Sequence, residues 1–243
     1  MDVPASGPPP HEARAGVGAP LAVAVVLALV AGLVDAVCYG RVFEVFPANQ
    51  SGNAVLLGIG LGEASALDAW RPAVSILGFG VGVALGIVLG GRLGSRVRAP
   101  LLLTLEVAIL VPIAIVVLAA ARARPELADT PAAALLFATS IGMGIQTEVI
   151  GRVAGVGVAT TYQSGAIARI AEVAASRIDE RSRDREHAPL LTVLGTVLAG
   201  YVGGAAVGAA LGDWAGALVV PIVVLGALVV VLAAAAVRSR VVV

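Results

Sequence analysis

Hydrophobic positions in this chain neither alternate nor recur on one face. They run on, in six stretches nearly free of Arg, Lys, Glu and Asp: Pro20–Tyr39, Pro72–Gly91, Pro100–Ala121, Pro131–Ile150, Ala188–Leu211 and Ala215–Val237. About 20 residues at ~1.5 Å rise cross the ~30 Å hydrocarbon layer as a helix. A membrane barrel would instead show short segments alternating in polarity. The pattern therefore predicts an all-α polytopic transmembrane bundle of six spans. Proline opens or nearly opens five of them, at Pro20, Pro72, Pro100, Pro131 and Pro189, and is expected to set the helix starts.

Two further segments are too short or too polar to be spans. Phe46–Asn53 leads into Ala54–Leu61, and Ala159–Gly165 leads into Ala166–Ile178. In the latter, Ile167, Ile170, Val173, Ala174 and Ile178 recur at helical spacing, interrupted by Arg169 and Glu172. Each fits either a re-entrant half-helix or an amphipathic helix lying on the surface.

The pattern also repeats. Pro20 and Gly40-Arg41-Val42 recur 111 residues on as Pro131 and Gly151-Arg152-Val153, and Gln50-Ser51-Gly52 recurs 113 on as Gln163-Ser164-Gly165. Pro112 and Pro221, expected to kink the third span of each half, lie 109 apart. Gly78, Gly82, Gly86 and Gly90 in one half answer Gly200, Gly204, Gly208 and Gly212 in the other. Glycines every four residues let helix backbones touch in lipid, and the same faces are candidates for homo-oligomer contacts. Three spans per repeat is odd, so the halves, 20–121 and 131–237, are expected to be inverted relative to one another.

Around this domain, residues 1–19 read as a disordered tail and 238–243 as a short C-terminal one. With the N-terminus cytoplasmic, twelve of the 16 basic residues, all Arg, fall inside and four outside. That places the chain in a bacterial plasma membrane with both termini cytoplasmic. Trp70, Trp214 and Tyr39 then sit at the outer interface.

Composition narrows the chemistry. Hydrophobic residues make up 59% and charged residues 13%, far from a soluble domain. One cysteine, Cys38, excludes an intramolecular disulfide, and the only histidines, His11 and His187, fall outside the spans. No metal or other cofactor is expected. The run Arg177–Glu186 alternates in sign, which fits a solvated helix end and not nucleic-acid binding.

Polar groups inside the apolar runs are few, and each ionisable one costs roughly 2.5–3.5 kcal/mol at a helix centre. Asp35 lies near the outer end of the first span, with Gln146 as its counterpart 111 residues on, and Glu106 lies deeper in the third. Ser51 and Asn53 in one lead-in, and Thr161 and Ser164 in the other, could cap the helix that follows. The same groups could form a neutral hydrogen-bonding cradle for an anion or polar solute. Asp35, Ser51, Asn53, Glu106, Gln146, Thr161 and Ser164 are therefore the candidate substrate-binding residues, with Asp35 or Glu106 as the coupling carboxylate.

These same residues carry a likeness. Gly32-Leu33-Val34-Asp35-Ala36-Val37 and Gln50-Ser51-Gly52-Asn53-Ala54-Val55-Leu56-Leu57 resemble the bacterial YoaK membrane family, a domain of unknown function, as do Gly144-Ile145-Gln146, Gly151-Arg152-Val153 and Thr160–Gly165. The chain departs from that family in having Gln50-Ser51 where Met-Thr is common and Thr147 where Asn often follows the glutamine. The resemblance implies a multi-pass inner-membrane protein and supplies no activity. The expected function is a transporter or channel for a small polar solute or anion, not an enzyme. An assembly or regulatory subunit is the first alternative and an intramembrane enzyme the second.

Overall fold

The structure is a computed structural model that describes residues 10–92, 101–102, 104, 129–148, 152–153, 156–157, 161, 163–176 and 187–210. Nearly all of the expected third span and the whole sixth, with Glu106, Pro112, Gly212, Trp214 and Pro221, lie outside the described residues. In chain order the elements are α1 (Pro10–Val37), a π-helical turn (Cys38–Val42), α2 (Gln50–Gly62) and α3 (Ala66–Gly91). Then come α4 (Asp129–Thr147), an antiparallel pairing of β1 (Arg152–Val153) with β2 (Val156–Gly157), α5 (Gln163–Ser176) and α6 (His187–Ala210).

Among the described residues, three helical stretches are long and apolar enough to cross a membrane: Leu21–Gly40, Ala69–Gly91 and Leu190–Ala210. The apolar part of α4, Ala133–Thr147, is shorter. The prolines set fewer helix starts than expected. Pro131 and the proline of α6, Pro189, do lie in a first turn, where the missing N–H is harmless. Pro72 instead lies within α3, and α1 begins at Pro10, which leaves Pro20 inside it.

The loop between α1 and α2 has a definite cause. Phe43 and Glu44 N–H both donate to the Cys38 carbonyl, at 2.8 and 3.2 Å, which closes the helix as a wide turn. Glu44 then takes a positive φ of 58°, and the chain reverses into Val45–Asn49. Arg71 Nη1 reaches Glu44 Oε2 at 2.8 Å, but Glu44 is 78% exposed. Solvent screens such a pair, so Arg71→Ala is expected to cost less than about 1 kcal/mol in thermal unfolding. At the other end of α2, Ala64 also takes a positive φ, of 52°, and Ser65 N–H donates back to the Gly60 carbonyl at 2.9 Å. That closure stops α2 after 13 residues, about 20 Å, too short to cross.

The long helices pack in two seams. On α6, a Cβ added at Gly200, Gly204 or Gly208 would meet the carbonyl oxygen of Val25, Leu29 or Leu33 of α1. On α3, one at Gly78 or Gly82 would meet the carbonyl oxygen of Phe137 or Ile141 of α4, and one at Gly86 would meet Glu148 and Ile145. In both seams the partners advance in step, so α6 runs parallel to α1 and α3 parallel to α4. The glycine rows are turned inward, where backbone meets backbone.

Contact by contact, the seams are copies. Gly78, Gly82 and Gly86 precede Gly200, Gly204 and Gly208 by 122 residues, while their partners Phe137, Ile141 and Ile145 follow Val25, Leu29 and Leu33 by 112. Gly32 against the Tyr201 carbonyl and Gly144 against that of Phe79 obey the same offsets. This register corrects the pairing of Asp35 with Gln146: Asp35 corresponds to Thr147, and Gln146 to Val34. A single shift cannot serve the helices and the lead-ins, because the segments between them differ in length.

Candidate functional site

Polar chemistry gathers where the lead-in to α2 is pressed between the two seams. Asn49 caps α2, its Oδ1 accepting from Gly52 N–H at 3.3 Å and from the Ser51 hydroxyl at 2.7 Å. An Asn at this position satisfies donors that the first turn would otherwise leave open. Gly52 is required here, since a Cβ would meet the Phe46 ring. The end of α2 is thus closed by its own cap, with Ser51 on the outside of it.

Behind the cap lies a buried network. Asn53, fully buried, accepts from Phe46 N–H at 2.9 Å, and its amide nitrogen reaches Phe46 O, Gln50 Oε1 and Ser75 Oγ. Ser75 in α3 donates to Phe46 O and lies 2.9 Å from the Ser140 hydroxyl of α4. Gln50 Nε2 donates to Pro47 O at 2.8 Å. Asn53 therefore ties the lead-in, α2 and α3 together, and Ser75 carries the network on to α4. Intramembrane polar contacts average only about 0.6 kcal/mol each, so Asn53→Ala, which removes the bond accepted by Oδ1 and the two N–H donors shared among three acceptors, is expected to cost roughly 2 kcal/mol. Ser140→Ala, which removes one, should cost under about 1 kcal/mol. Thermal unfolding in detergent checks both values, and equal losses would mean that the network is not centred on Asn53.

From the opposite side Asp35, near the end of α1 and 2% exposed, holds the same segment. Its Oδ1 accepts from Ala48 N–H at 2.7 Å, and its Oδ2 accepts from the Tyr201 hydroxyl of α6. Its chain neighbours Val34 and Cys38 and its partner Ala48 belong to one apolar cluster. A carboxyl placed here is expensive and is held by donors from two other elements.

The candidate residues divide accordingly. Asp35 and Asn53 grip one lead-in, at Ala48 and Phe46. Thr161 lies in the other half, its hydroxyl 2.8 Å from that of Thr147. Gln146, buried on α4, donates to the Leu27 carbonyl of α1 at 2.9 Å and so links the seams. Ser51 and Ser164 are exposed and do not join these contacts. Glu106 lies outside the described residues. Sequence reasoning missed Ser75, Ser140, Thr147 and Tyr201. A lone hydroxyl in an apolar run usually bonds its own helix, as Thr139 does to the Leu135 carbonyl, so nothing local set these apart.

Comparison with known proteins agrees with a helical membrane protein. The chain is 29% identical over 152 residues to the UPF0700 transmembrane protein YoaK of Bacillus subtilis (strain 168), covering 63% of this chain and 66% of that relative's length. No solved structure matches. The family described as protein of unknown function (DUF1275) matches residues 23–234, and the chain therefore belongs to that family.

Proposed function

We propose that the protein is a carrier for a small polar solute in the bacterial plasma membrane, built from two inverted repeats, with Asp35 as its coupling carboxyl. The observation that carries this reading is a buried carboxyl held by hydrogen bonds between α1, α6 and the lead-in of a half-helix. Breaking that contact would free the lead-in and part the α1–α6 seam together, so a proton or solute competing for Asp35 has a mechanical consequence.

The paired seams support the inverted arrangement. In a six-span chain with both termini cytoplasmic, the first and fifth spans run outward and the second and fourth inward, which gives the two parallel pairings seen in α1 with α6 and α3 with α4. Embedding of α2 in the membrane is supported by its outer face, where Val55, Ile59 and Leu61 are exposed without a charged residue in the helix. A helix lying at the interface would carry a charged side. A subunit assembling through its glycine ridges would turn them to lipid, whereas here they are spent within the chain.

The test is transport. The purified protein is reconstituted in liposomes with a pH-sensitive dye inside and challenged with small anions, amides and sugars. The expected result is solute-driven proton flux that falls at least about tenfold in Asp35→Asn, as for loss of an intramembrane proton relay. Undiminished flux in that variant would remove Asp35 from the mechanism, and silence of the wild-type protein across the panel would count against proton-coupled transport.

A further inference from the structure

The surface of α5 divides lengthwise into three strips. At about 100° per residue, Ala166, Ile170 and Val173 fall on one side, and between Ala166 and Ala175 they are the residues that are buried or half-buried. Through its packed side α5 joins the bundle, with α6 as its neighbour. Beside it, Ile167, Ala171, Ala174 and Ala175 make an exposed apolar strip, in which Ile167 keeps 53% of its surface open. Arg169 and Glu172, also exposed, make a charged strip between the apolar one and the far edge of the packed side. Going round the helix one meets protein, apolar surface and charge in turn. On α2 the exposed residues from Ala54 to Gly62 carry no charge at all.

Three surroundings in that order describe the rim of a bundle, with protein to one side, acyl chains beneath and headgroups above. We infer that α5 lies in the plane of the membrane interface, its apolar strip resting on the acyl chains and Arg169 and Glu172 level with the lipid headgroups. With both termini cytoplasmic, as proposed above, this is the cytoplasmic leaflet. A helix standing in the hydrocarbon would carry both charges midway along its length, at roughly 2.5–3.5 kcal/mol for each one at the centre of the layer. A helix lying flat puts them at one level. There the apolar stem of Arg169 can cover lipid while its guanidinium takes the fork of hydrogen bonds that a phosphate offers. The partner is thus lipid phosphate. The two halves keep matching glycine seams and differ in the depth of their short helices.

Spin-label depths test this without any transported solute, so a silent flux assay and a misplaced α5 are separate results. Single labels are set in a Cys38→Ala background at Ile167→Cys, Ala171→Cys and Ala174→Cys on the apolar strip, and at Arg169→Cys and Glu172→Cys on the charged one. The protein is reconstituted in vesicles of phosphatidylethanolamine and phosphatidylglycerol. Power saturation with oxygen and with a water-soluble nickel chelate then gives each label's depth. The expected result is that the three apolar-strip labels lie within about 3 Å of one depth, below the phosphates, whereas a helix standing in the membrane would spread them over about 10 Å. The labels at 169 and 172 should meet the nickel chelate more readily than oxygen, and the other three the reverse. Val55→Cys and Gly62→Cys on α2, both exposed and equally far apart in sequence, should differ in depth by at least about 5 Å. A steady change of depth from 167 to 174, nickel access at all five positions, or oxygen access at all five would each overturn the inference. Equal depths along α2 would instead overturn the embedding of α2 and leave α5 where it is placed.

Discussion

Gly204→Leu is expected to lower the apparent melting temperature in detergent by roughly 10 °C, or to prevent recovery of folded protein altogether. At Gly204 an added Cβ would fall far inside contact with the Leu29 carbonyl oxygen, carbon and Cα of α1. Overpacking a core usually costs about 1–3 kcal/mol because side chains change rotamer or the backbone shifts. Here the obstacle is backbone, which has no rotamer to change, so the helices must part. Parting also loosens the approaches at Gly200 and Gly208, since all three lie on one seam. The cost should therefore sit at or above the top of that range. For a chain of this size each 1 kcal/mol is worth about 2–4 °C. Gly82→Leu should match it, because Gly82 meets the Ile141 carbonyl in the corresponding way. Gly80→Leu and Gly203→Leu, where nothing lies within 4 Å, should leave the melting temperature within a few degrees. Similar losses at all four positions would mean that the seams are not what holds the bundle.

Removing the Asp35 carboxyl should separate two roles that one side chain now combines. Asp35→Leu leaves Ala48 N–H without its acceptor and Tyr201 with a buried hydroxyl to place. An unsatisfied buried donor costs about 1–3 kcal/mol, so this variant should be destabilised by at least that much, against the cost of the carboxyl that it relieves. Asp35→Asn should be milder. Its oxygen can take the Ala48 N–H, and the Tyr201 hydroxyl, unlike a backbone N–H, can turn to accept from the amide. Tyr201→Phe keeps the ring in the seam and loses one hydrogen bond, so it should cost about 1 kcal/mol. In the double variant Asp35→Asn with Tyr201→Phe, losses that fall short of additive would report the direct contact. Full additivity would show that the two side chains do not act on one another.

The fold was legible in the sequence to the extent that lipid dictates it. A hydrocarbon solvent accepts only long apolar helices, so α1, α3 and α6 could be placed from apolar runs alone. The two short helices were legible from polar lead-ins that no span could contain, and the glycine rows from their period. Helix starts were less so. Pro72 reads as an opening residue, yet α3 begins at Ala66, because a proline in an early turn breaks few bonds and the chain ahead of it can still wind. In the site, Asp35 and Asn53 stood out because ionised and amide groups are rare in apolar runs. Ser75, Ser140 and Tyr201 did not, since a hydroxyl on a membrane helix has an ordinary local use and only a neighbour far along the chain gives it another. Tyr201 lies 166 residues from Asp35, and no local pattern couples them.

What the sequence by itself determined is the solvent and the parts: a chain too apolar for water, helices of spanning length, two short helices between them, and glycines spaced to bring backbones together. What only the tertiary structure decided is which parts meet. The first helix of each half packs against the long later helix of the other, α1 with α6 and α4 with α3, a choice invisible in either half alone. The same packing set the register at which Asp35 corresponds to Thr147 and not to Gln146, and it gathered Asn53, Ser75 and Ser140 beside the α3–α4 seam while leaving alanine and valine in the α1–α6 seam. The physical reason is that periodicity and hydropathy are properties of single segments, whereas a hydrogen bond in the membrane interior needs two segments brought to one point, and that meeting is fixed by backbone seams spanning the whole chain.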